Sequence, residues 1–414
     1  MARPHYAPRL PLDGMNRRNF LSCSAGAAAA SFVLAGAAGC TMQDVEKAAS
    51  ETPLPSGTPV LVMVTLYGGN DGLNTVVPYA DSAYQSARPG LAYGHDEVLT
   101  LDDTTGLNPG LEGIHGLWGQ KKVAIVRGVG YPQPDRSHFR SMDIWQTASP
   151  ERPSGSGWLG RWLDTAPGTD ALLGLNIGPV LPVLAVGERR TFAALSVKEN
   201  PSQPLAQAMA ALGKPDASDS AAAAAVAASY AALGRVRTDV VEHLDEVKLE
   251  DEVTADGSLT SQLLTVAKCI QLGAPTRCYS VSMGGFDTHA GEKGTQVQLL
   301  TMLDQAVTKF RAAMAPSPRA KDVVVVVYSE FGRRVKANSS DGTDHGTASD
   351  VFVIGDRVKP GFHGEAPSLT KLVDGDLATT TDFRSIYGEL AAKMLGTDPA
   401  RILKGAPAPL GVLV

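Results

Sequence analysis

Cysteine is scarce in this chain, and the few cysteines lack the spacing of a thiolate metal site. Of the four in 414 residues, Cys23 and Cys40 fall in the N-terminal leader, while Cys269 and Cys278 belong to the body. No Cys-x-x-Cys pair occurs, which argues against a zinc site built from thiolates. The two body cysteines lie on a predicted helix and the following strand, where they form either a disulfide or part of the buried core.

Lysine and arginine are also outnumbered by aspartate and glutamate. The formal net charge is −6, and residues 1–40 hold four arginines against one aspartate, so the rest of the chain is more acidic than the whole. An acidic body argues against non-specific nucleic-acid binding, which needs a basic surface. No Gly-x-Gly-x-x-Gly motif follows a predicted strand, which argues against a dinucleotide-dependent oxidoreductase.

The first 40 residues are typical of an export signal. Residues 16–21 (NRRNFL) resemble the twin-arginine motif, and an Ala/Gly-rich stretch follows. This stretch is weakly hydrophobic, so residues 1–40 are predicted to be a cleaved signal peptide rather than a membrane-spanning helix. Residues 37–40 are similar to a lipobox with Cys40 as a lipid anchor, and simple cleavage is the alternative. The predicted partner is the twin-arginine export machinery, and the predicted location is the bacterial cell envelope (periplasm).

Beyond a predicted polar linker at residues 41–58, apolar runs alternate with helix-length segments. This alternation predicts an α/β domain over residues 59–414, with a mostly parallel sheet covered on both faces. Residues 150–257 are richer in alanine and are predicted to be a helical insertion. The predicted strands span 59–67, 122–127, 277–283, 322–328 and 351–354, and the main predicted helices span 111–120, 137–147, 259–272, 296–314 and 382–394.

Acidic, histidine and serine side chains gather where these predicted strands end. The carboxyl ends of strands in open α/β sheets are where ligands bind, so these segments are expected to form one composite site. The segments are GGND (68–71), DRSHF (135–139), GGFDTH (284–289), and SEFGRR (329–334) with GTDHG (342–346).

The most specific pair is Asp287 and His289. Two residues apart in an extended segment, they point the same way and can reach one ion. The alternative is a core histidine satisfied by a hydrogen bond. With Asp71, Glu330, Asp344 and His345, they form a candidate set of oxygen and nitrogen ligands that suits Zn²⁺, Mn²⁺, Mg²⁺ or Ca²⁺.

Other members of that set have plain alternatives. Asp71 follows two glycines and belongs to an Asn-Asp-Gly sequence that also suits a simple turn. Glu330 ends a strand of five valines, where its carboxylate must be coordinated, solvated, or paired with Arg333 or Arg334. His345 either completes the site or lies on a surface loop.

Ser137 stands at the predicted start of a helix, where free N–H groups and the helix dipole stabilise an alkoxide or a bound anion. The alternative is that it only caps the helix. Arg136 and His138 beside it add a cation and an imidazole, which suit an oxyanion substrate.

In these segments the chain resembles the DUF1501 family of exported bacterial proteins, through GGNDGLNTVVP, DRSHF, GGFDTH, and SEFGRR with GTDHG. That family resembles a branch of the alkaline phosphatase/sulfatase superfamily. The resemblance implies a three-layer α/β/α alkaline-phosphatase-like fold with a central, mostly parallel sheet. It makes Ser137 the nucleophile, places Asp287, His289 and His345 at one metal site, and makes Asp71 and Glu330 further acidic ligands.

Two departures from the superfamily pattern limit this resemblance. Phe331 follows Glu330 where the pattern has a histidine, so a second metal site lacks a ligand unless His138 or Asp344 substitutes. The Cys-x-Pro-x-Arg signature of sulfatases is absent, so no formylglycine nucleophile can form there.

The expected function is an exported, metal-dependent hydrolase of phosphate or sulfate esters. Ser137 would attack, His138 would belong to the catalytic group, and Arg136 or Arg333 would bind the oxyanion. The alternative is a non-catalytic envelope protein that keeps the fold, which the phenylalanine at 331 and the predicted insertion favour.

Overall fold

One large sheet organises the residues described in this computed structural model, which are 39–152, 154–168, 171–178, 180–195 and 257–414. Within those ranges the sheet has ten strands, and a separate sheet has three. The strands are β1 (Gly39–Cys40), β2 (Val60–Leu66), β3 (Val76–Val77), β4 (Leu99–Thr100), β5 (Gly106–Leu107), β6 (Val123–Gly130), β7 (Gly174–Ile177), β8 (Ala193–Leu195), β9 (Cys278–Met283), β10 (Val323–Ser329), β11 (Ser349–Gly355), β12 (Gly361–His363) and β13 (Thr381–Asp382).

The strand order in the large sheet is β1-β8-β7-β9-β2-β10-β11-β6-β12, with β13 also paired to β6. Every pairing is parallel except the two made by β11, which runs antiparallel to both β10 and β6. The predicted fold class, α/β with a mostly parallel central sheet, is therefore confirmed. The small sheet, in the order β3-β5-β4, is antiparallel.

Helices cover both faces of the large sheet. They are α1 (Met42–Glu51), α2 (Ser82–Ala87), α3 (Glu112–Gly119), α4 (His138–Thr147), α5 (Trp158–Thr165), α6 (Leu259–Leu272), α7 (Glu292–Met314) and α8 (Phe383–Lys393). One hydrophobic cluster joins the sheet to α1, α3, α6 and α7, and a second joins the opposite face to α4, α5 and α8. The result is the three-layer α/β/α arrangement.

The central strands β2 and β10 explain why the sheet needs two covering layers. Every residue in both strands is buried, and alternate side chains belong to opposite hydrophobic clusters. A run of valines without polar alternation is the pattern of a parallel strand buried on both faces. Burial of each such side chain contributes about 1.5–3 kcal/mol relative to exposure.

The predicted linker at residues 41–58 is only partly correct, because it contains α1. Thr41 caps this helix, and its hydroxyl accepts a hydrogen bond from the amide of Asp44 at 3.0 Å. Val45 and Ala49, four residues apart on one face, are buried, and the helix packs against α6. An apolar stripe of two residues within a polar segment is too short to stand out in the sequence.

The predicted helical insertion at 150–257 also needs correction where the structure describes it. Within that range α5 joins one hydrophobic cluster, and β7 and β8 are strands of the large sheet. This part of the segment therefore builds the main domain. Residues 196–256, with the Ala-rich stretches predicted to be helical, lie outside the described residues, as does most of the predicted signal peptide.

The buried cysteines are free thiols. Cys269 and Cys278 are fully buried and form no disulfide. Of the two predicted alternatives, the structure therefore shows the one in which both belong to the buried core. Cys40, in β1, is buried too, and burial raises the pKa of its thiol. No described helix combines the length and apolar character needed to cross a membrane.

Candidate metal centre

The strand directions bring the predicted site segments to one edge of the sheet. Strands β2, β6, β9 and β10 point the same way, so the segments that follow them all start from the same edge. Strand β11 runs in the opposite direction, and the loop that precedes it, residues 342–348, therefore begins at that edge as well.

Three histidines surround one carboxylate oxygen at this edge. The Nε2 atoms of His289, His345 and His138 lie 2.9, 3.1 and 3.4 Å from Oδ1 of Asp287. The Nε2 atoms of His289 and His345 are 3.0 Å apart. Ligand atoms of His138, Asp287 and His345 all lie within 4.8 Å of one another.

The second nitrogen of each imidazole is held by an oxygen. Nδ1 of His138 lies 2.8 Å from Glu330 Oε1, and Nδ1 of His345 lies 2.8 Å from the carbonyl oxygen of Arg136. Nδ1 of His289 lies 3.3 Å from Asp344 Oδ1. Oxygens that only accept place the proton on Nδ1, which leaves Nε2 with its lone pair.

This arrangement fits a metal ion. Nitrogen and oxygen ligands at 2.0–2.2 Å from a tetrahedral ion lie about 3.3 Å apart, close to the separations measured here. A histidine that binds a metal usually donates its other N–H to a carboxylate or carbonyl oxygen. The buried Nε2 atom of His138 has no hydrogen-bond partner among the described residues. Lone pairs that face a carboxylate repel one another unless a cation lies between them.

Asp287 is suited to remain charged. Although partial burial opposes its charge, the hydrogen bond from Arg333 and the positive charge of that guanidinium hold the pKa of this carboxyl well below its usual range. Its side chain is 48% exposed, so solvent and ions reach it.

Phe331 packs against two of the imidazoles. Its ring centroid lies 4.9 Å from that of His138 and 5.1 Å from that of His345. Gly69, with φ of +71°, provides space for the ring, since a Cβ there would lie 2.2 Å from a Phe331 carbon. Phe331 cannot bind a metal itself, but its ring helps to fix the orientation of His138 and His345, which can.

Glu330 and Asp344, both predicted to bind the metal directly, instead support histidines. Oε1 of Glu330 accepts hydrogen bonds from His138 and from the amide of Gly68, and Oε2 accepts one from Ser329. Asp344 is exposed and accepts hydrogen bonds from His289 and from Asn338.

Asp71 lies outside the histidine group. It is fully buried, and both of its carboxylate oxygens are paired with the Arg88 guanidinium. Burial opposes its charge, but Arg88 holds the pKa of Asp71 below its usual range. The prediction that Asp71 binds a metal does not agree with this placement, because its oxygens already have a cation.

Glu292 completes this second, buried group. Burial and the charge of Asp71 raise the pKa of Glu292 to about 9, so it carries a proton near neutral pH and donates a hydrogen bond to Asp71. Its Oε2 accepts a hydrogen bond from the Thr343 hydroxyl. The sequence analysis missed Arg88 and Glu292, because neither lies at the end of a strand.

Arg333 is a structural cation and not an oxyanion ligand. It is 1% exposed, and its N–H groups donate to Asp287 and to four backbone carbonyls. The carbonyls belong to Gly68, Gly69, Phe286 and Thr343. None of its donors faces solvent, whereas the side chain of Arg136, the other predicted oxyanion ligand, is 38% exposed and is paired with Asp376.

Ser137 occupies the N-cap position of α4 and is exposed. Its hydroxyl makes no capping hydrogen bond, so the simple capping role is not observed. The residues on either side of it contact the site, since the Arg136 carbonyl accepts from His345 and His138 is one of the converging imidazoles.

Comparisons with known proteins give one family and several distant structures. A sequence profile described as "Protein of unknown function (DUF1501)" matches residues 115–406. No match is found among curated proteins.

Three solved structures illustrate the structural likeness. The chain is 10% identical to an alkaline phosphatase superfamily protein from Vibrio parahaemolyticus, with a TM-score of 0.39 over 90% of this chain and 77% of that one. Murine ectonucleotide pyrophosphatase/phosphodiesterase 5 is 9% identical, with a TM-score of 0.40 over 85% and 96%. A phosphonate monoester hydrolase from Silicibacter pomeroyi is 11% identical, with a TM-score of 0.38 over 85% and 75%. These likenesses are too distant to indicate the chemistry of the site.

Proposed function

The chain belongs to the DUF1501 family of proteins of unknown function, and we propose that it is a metal-dependent hydrolase of phosphate or sulfate esters. The observation that carries the proposal is the convergence of three imidazole Nε2 atoms on Asp287 Oδ1, beside an exposed serine at a helix N-terminus.

The ligand set narrows the choice of metal. His138, His289, His345 and Asp287 offer three nitrogens and one oxygen. Imidazole suits zinc and other transition metals, whereas Mg²⁺ and Ca²⁺ prefer sites built from oxygen alone. We therefore rank Zn²⁺ above Mn²⁺, Mg²⁺ and Ca²⁺, since Mn²⁺ also favours oxygen ligands.

Ser137 is the proposed nucleophile. Its oxygen would attack the phosphorus or sulfur atom, the alcohol would leave, and water would then cleave the seryl ester. Bound at the histidines, a divalent ion would stabilise the charge that develops on the ester oxygens. The free N–H groups in the first turn of α4 and the Arg136 guanidinium would bind the remaining oxyanion oxygens.

The proposed location is the bacterial cell envelope, reached through the twin-arginine export machinery. This part of the proposal rests on the leader sequence, residues 1–40, of which the structure describes only Gly39 and Cys40. Lipidation at Cys40 remains a prediction from the sequence alone. It would require the Cys40 thiol, which is buried in β1, to become accessible.

The test is a panel of aryl phosphate monoesters, phosphate diesters and sulfate esters, assayed with Zn²⁺ or Mn²⁺. The variants are Asp287→Asn, which removes the negative charge of the oxygen ligand, and Ser137→Ala, with Ser154→Ala as a control in a loop. We expect each of the first two to lower turnover by at least about 10³-fold, with the control unchanged. Turnover that survives Ser137→Ala would exclude this nucleophile.

One observation favours a second candidate function, a metal-binding envelope protein without catalysis. The Ser137 hydroxyl makes no hydrogen bond to any described residue, so no base is seen to activate it. Under this alternative the protein binds the metal, and no ester in the panel is hydrolysed.

A further inference from the structure

We infer that the site holds a single metal ion, because two buried arginines occupy the positions where a second ion would bind acidic ligands. The inference rests on the metal-binding part of the proposed function and does not require catalysis. It follows from the partners of the three carboxylates Asp71, Asp287 and Glu330.

The first acid is already neutralised by the protein. Asp71 and Arg88 are both 0% exposed, and the Arg88 guanidinium contacts both carboxylate oxygens. Arg88 also donates to the carbonyls of Val335 and Arg334, at 3.0 and 2.7 Å. A metal ion at Asp71 would have to displace a buried cation that is held by two further hydrogen bonds.

The second arginine lies against the metal-binding carboxylate itself. Nη2 of Arg333 is 2.8 Å from Asp287 Oδ1, on the oxygen that the three imidazoles approach. Its remaining donors bind carbonyls in the loops after β2, β9 and β10, so the guanidinium cannot swing away. A second cation at this oxygen would lie next to a fixed positive charge.

The third acid has no free oxygen. Glu330 accepts hydrogen bonds from Gly68, His138 and Ser329, and the next residue presents the Phe331 ring. Within the described parts of the chain, the potential ligands close enough together to hold an ion are those around Asp287, which include His138 and His345 and also His289.

The experiment is a count of bound ions by elemental analysis. The full chain, purified from its expression host, is equilibrated separately with Zn²⁺ and with Mn²⁺ and then dialysed against metal-free buffer. We expect a single ion per chain. Electron paramagnetic resonance of the Mn²⁺ sample should show isolated and not exchange-coupled ions.

Matched variants locate that ion. Asp287→Asn and His345→Ala should each lose it. His363→Ala should keep it, because the imidazole of His363, on β12, lies 2.7 Å from the Lys359 carbonyl and not among the residues around Asp287. The double variant Asp71→Asn/Arg88→Gln removes both charges of the buried pair together and should also keep it. Circular dichroism identifies which variants are folded.

The outcomes separate the inference from the proposed function. Two ions in the unmodified chain, with one lost in Asp71→Asn/Arg88→Gln, would overturn the inference and leave the hydrolase proposal standing. No ion in the unmodified chain would overturn both. If the double variant does not fold, the ion count and the resonance spectrum of the unmodified chain still decide.

Discussion

Two acidic groups lie at the same edge of the sheet and are neutralised in different ways. In the buried group, Asp71 is paired with Arg88 and lies beside the protonated Glu292, and no part of the ion pair is exposed. In the open group, Asp287 is 48% exposed and faces three imidazole nitrogens. The first has a permanent cation, whereas the second is accessible to an exchangeable one.

The difference follows from the cost of burying charge. An ionised carboxylate removed from water costs several kcal/mol unless a partner of opposite charge lies against it. Asp71 therefore needs a cation that is part of the chain and is present as soon as the chain folds. Asp287 remains in contact with solvent, so the chain can fold before an ion neutralises this carboxylate, and the ion can dissociate again.

The largest effect on the free energy of unfolding is expected from a substitution that breaks the buried ion pair. Arg88→Met would leave Asp71 charged, buried and unpaired, which should lower the free energy of unfolding by about 3–5 kcal/mol. Urea denaturation measures this value. Lys47→Met, which removes an exposed pair with Glu51, is the control and should cost at most about 0.5 kcal/mol. Equal losses in the two variants would contradict the comparison.

The next effect concerns the support of the open group. Glu330→Gln would place an amide where a carboxylate accepts hydrogen bonds from His138 and Gly68, so metal affinity should fall about 10–100-fold. Competition with a chromogenic chelator measures the affinity. Asp344→Asn should have a smaller effect, because Asp344 is exposed and its contact with His289 is longer, at 3.3 Å. Glu365→Gln, on the surface, is the control.

A pH dependence distinguishes the two groups. The folded chain keeps a proton on Glu292 up to about pH 9, whereas the unfolded chain releases it near the ordinary value of 4.5. The free energy of unfolding should therefore fall as pH rises between these values, by at most about 1.4 kcal/mol per pH unit from this group. Glu292→Gln should remove that slope, measured on metal-free protein. Parallel pH profiles for the two proteins would refute the assignment.

The smallest expected effect concerns substrate. Phe139 follows His138, one of the proposed metal ligands, and is 91% exposed, so it is available to contact a substrate at the open group. Phe139→Ser should raise KM about 2–10-fold, as for the loss of one aromatic contact, and leave the free energy of unfolding within about 0.5 kcal/mol. Met302→Ser, an exposed apolar residue on α7, is the control. An unchanged KM would argue against this contact.

Much of the fold was predictable because its central strands are strongly apolar. The valine run that forms β10 and the helix Leu259–Leu272 stand out by length and composition, and strand direction then places their polar ends at one edge. Helix α7 begins at Glu292, four residues before its predicted start at Gln296, because Glu-Lys-Gly-Thr shows no apolar period.

Apart from the pairing of Asp287 with His289, the contacts between polar residues could not be predicted. Asp71 and Glu330 have the composition of metal ligands, but Arg88 and Ser329 occupy their oxygens through contacts that only the folded chain creates. Arg88 lies 17 positions from Asp71, in a segment without periodicity. His138 was grouped with Ser137 by sequence proximity, and only the structure shows that its Nε2 faces Asp287.

The residues that hold the histidines of the site in place are far apart in the sequence, so the site can form only late in folding. His138 and Glu330 are 192 positions apart, and Arg333 fastens loops from three strands around the site, so the ion-binding geometry exists only after the sheet has assembled. The twin-arginine route predicted from the leader carries proteins that are already folded. On that route, a metal ion bound at this site would be acquired in the cytoplasm and not in the envelope, and the supply of ions there would decide which one the protein carries out.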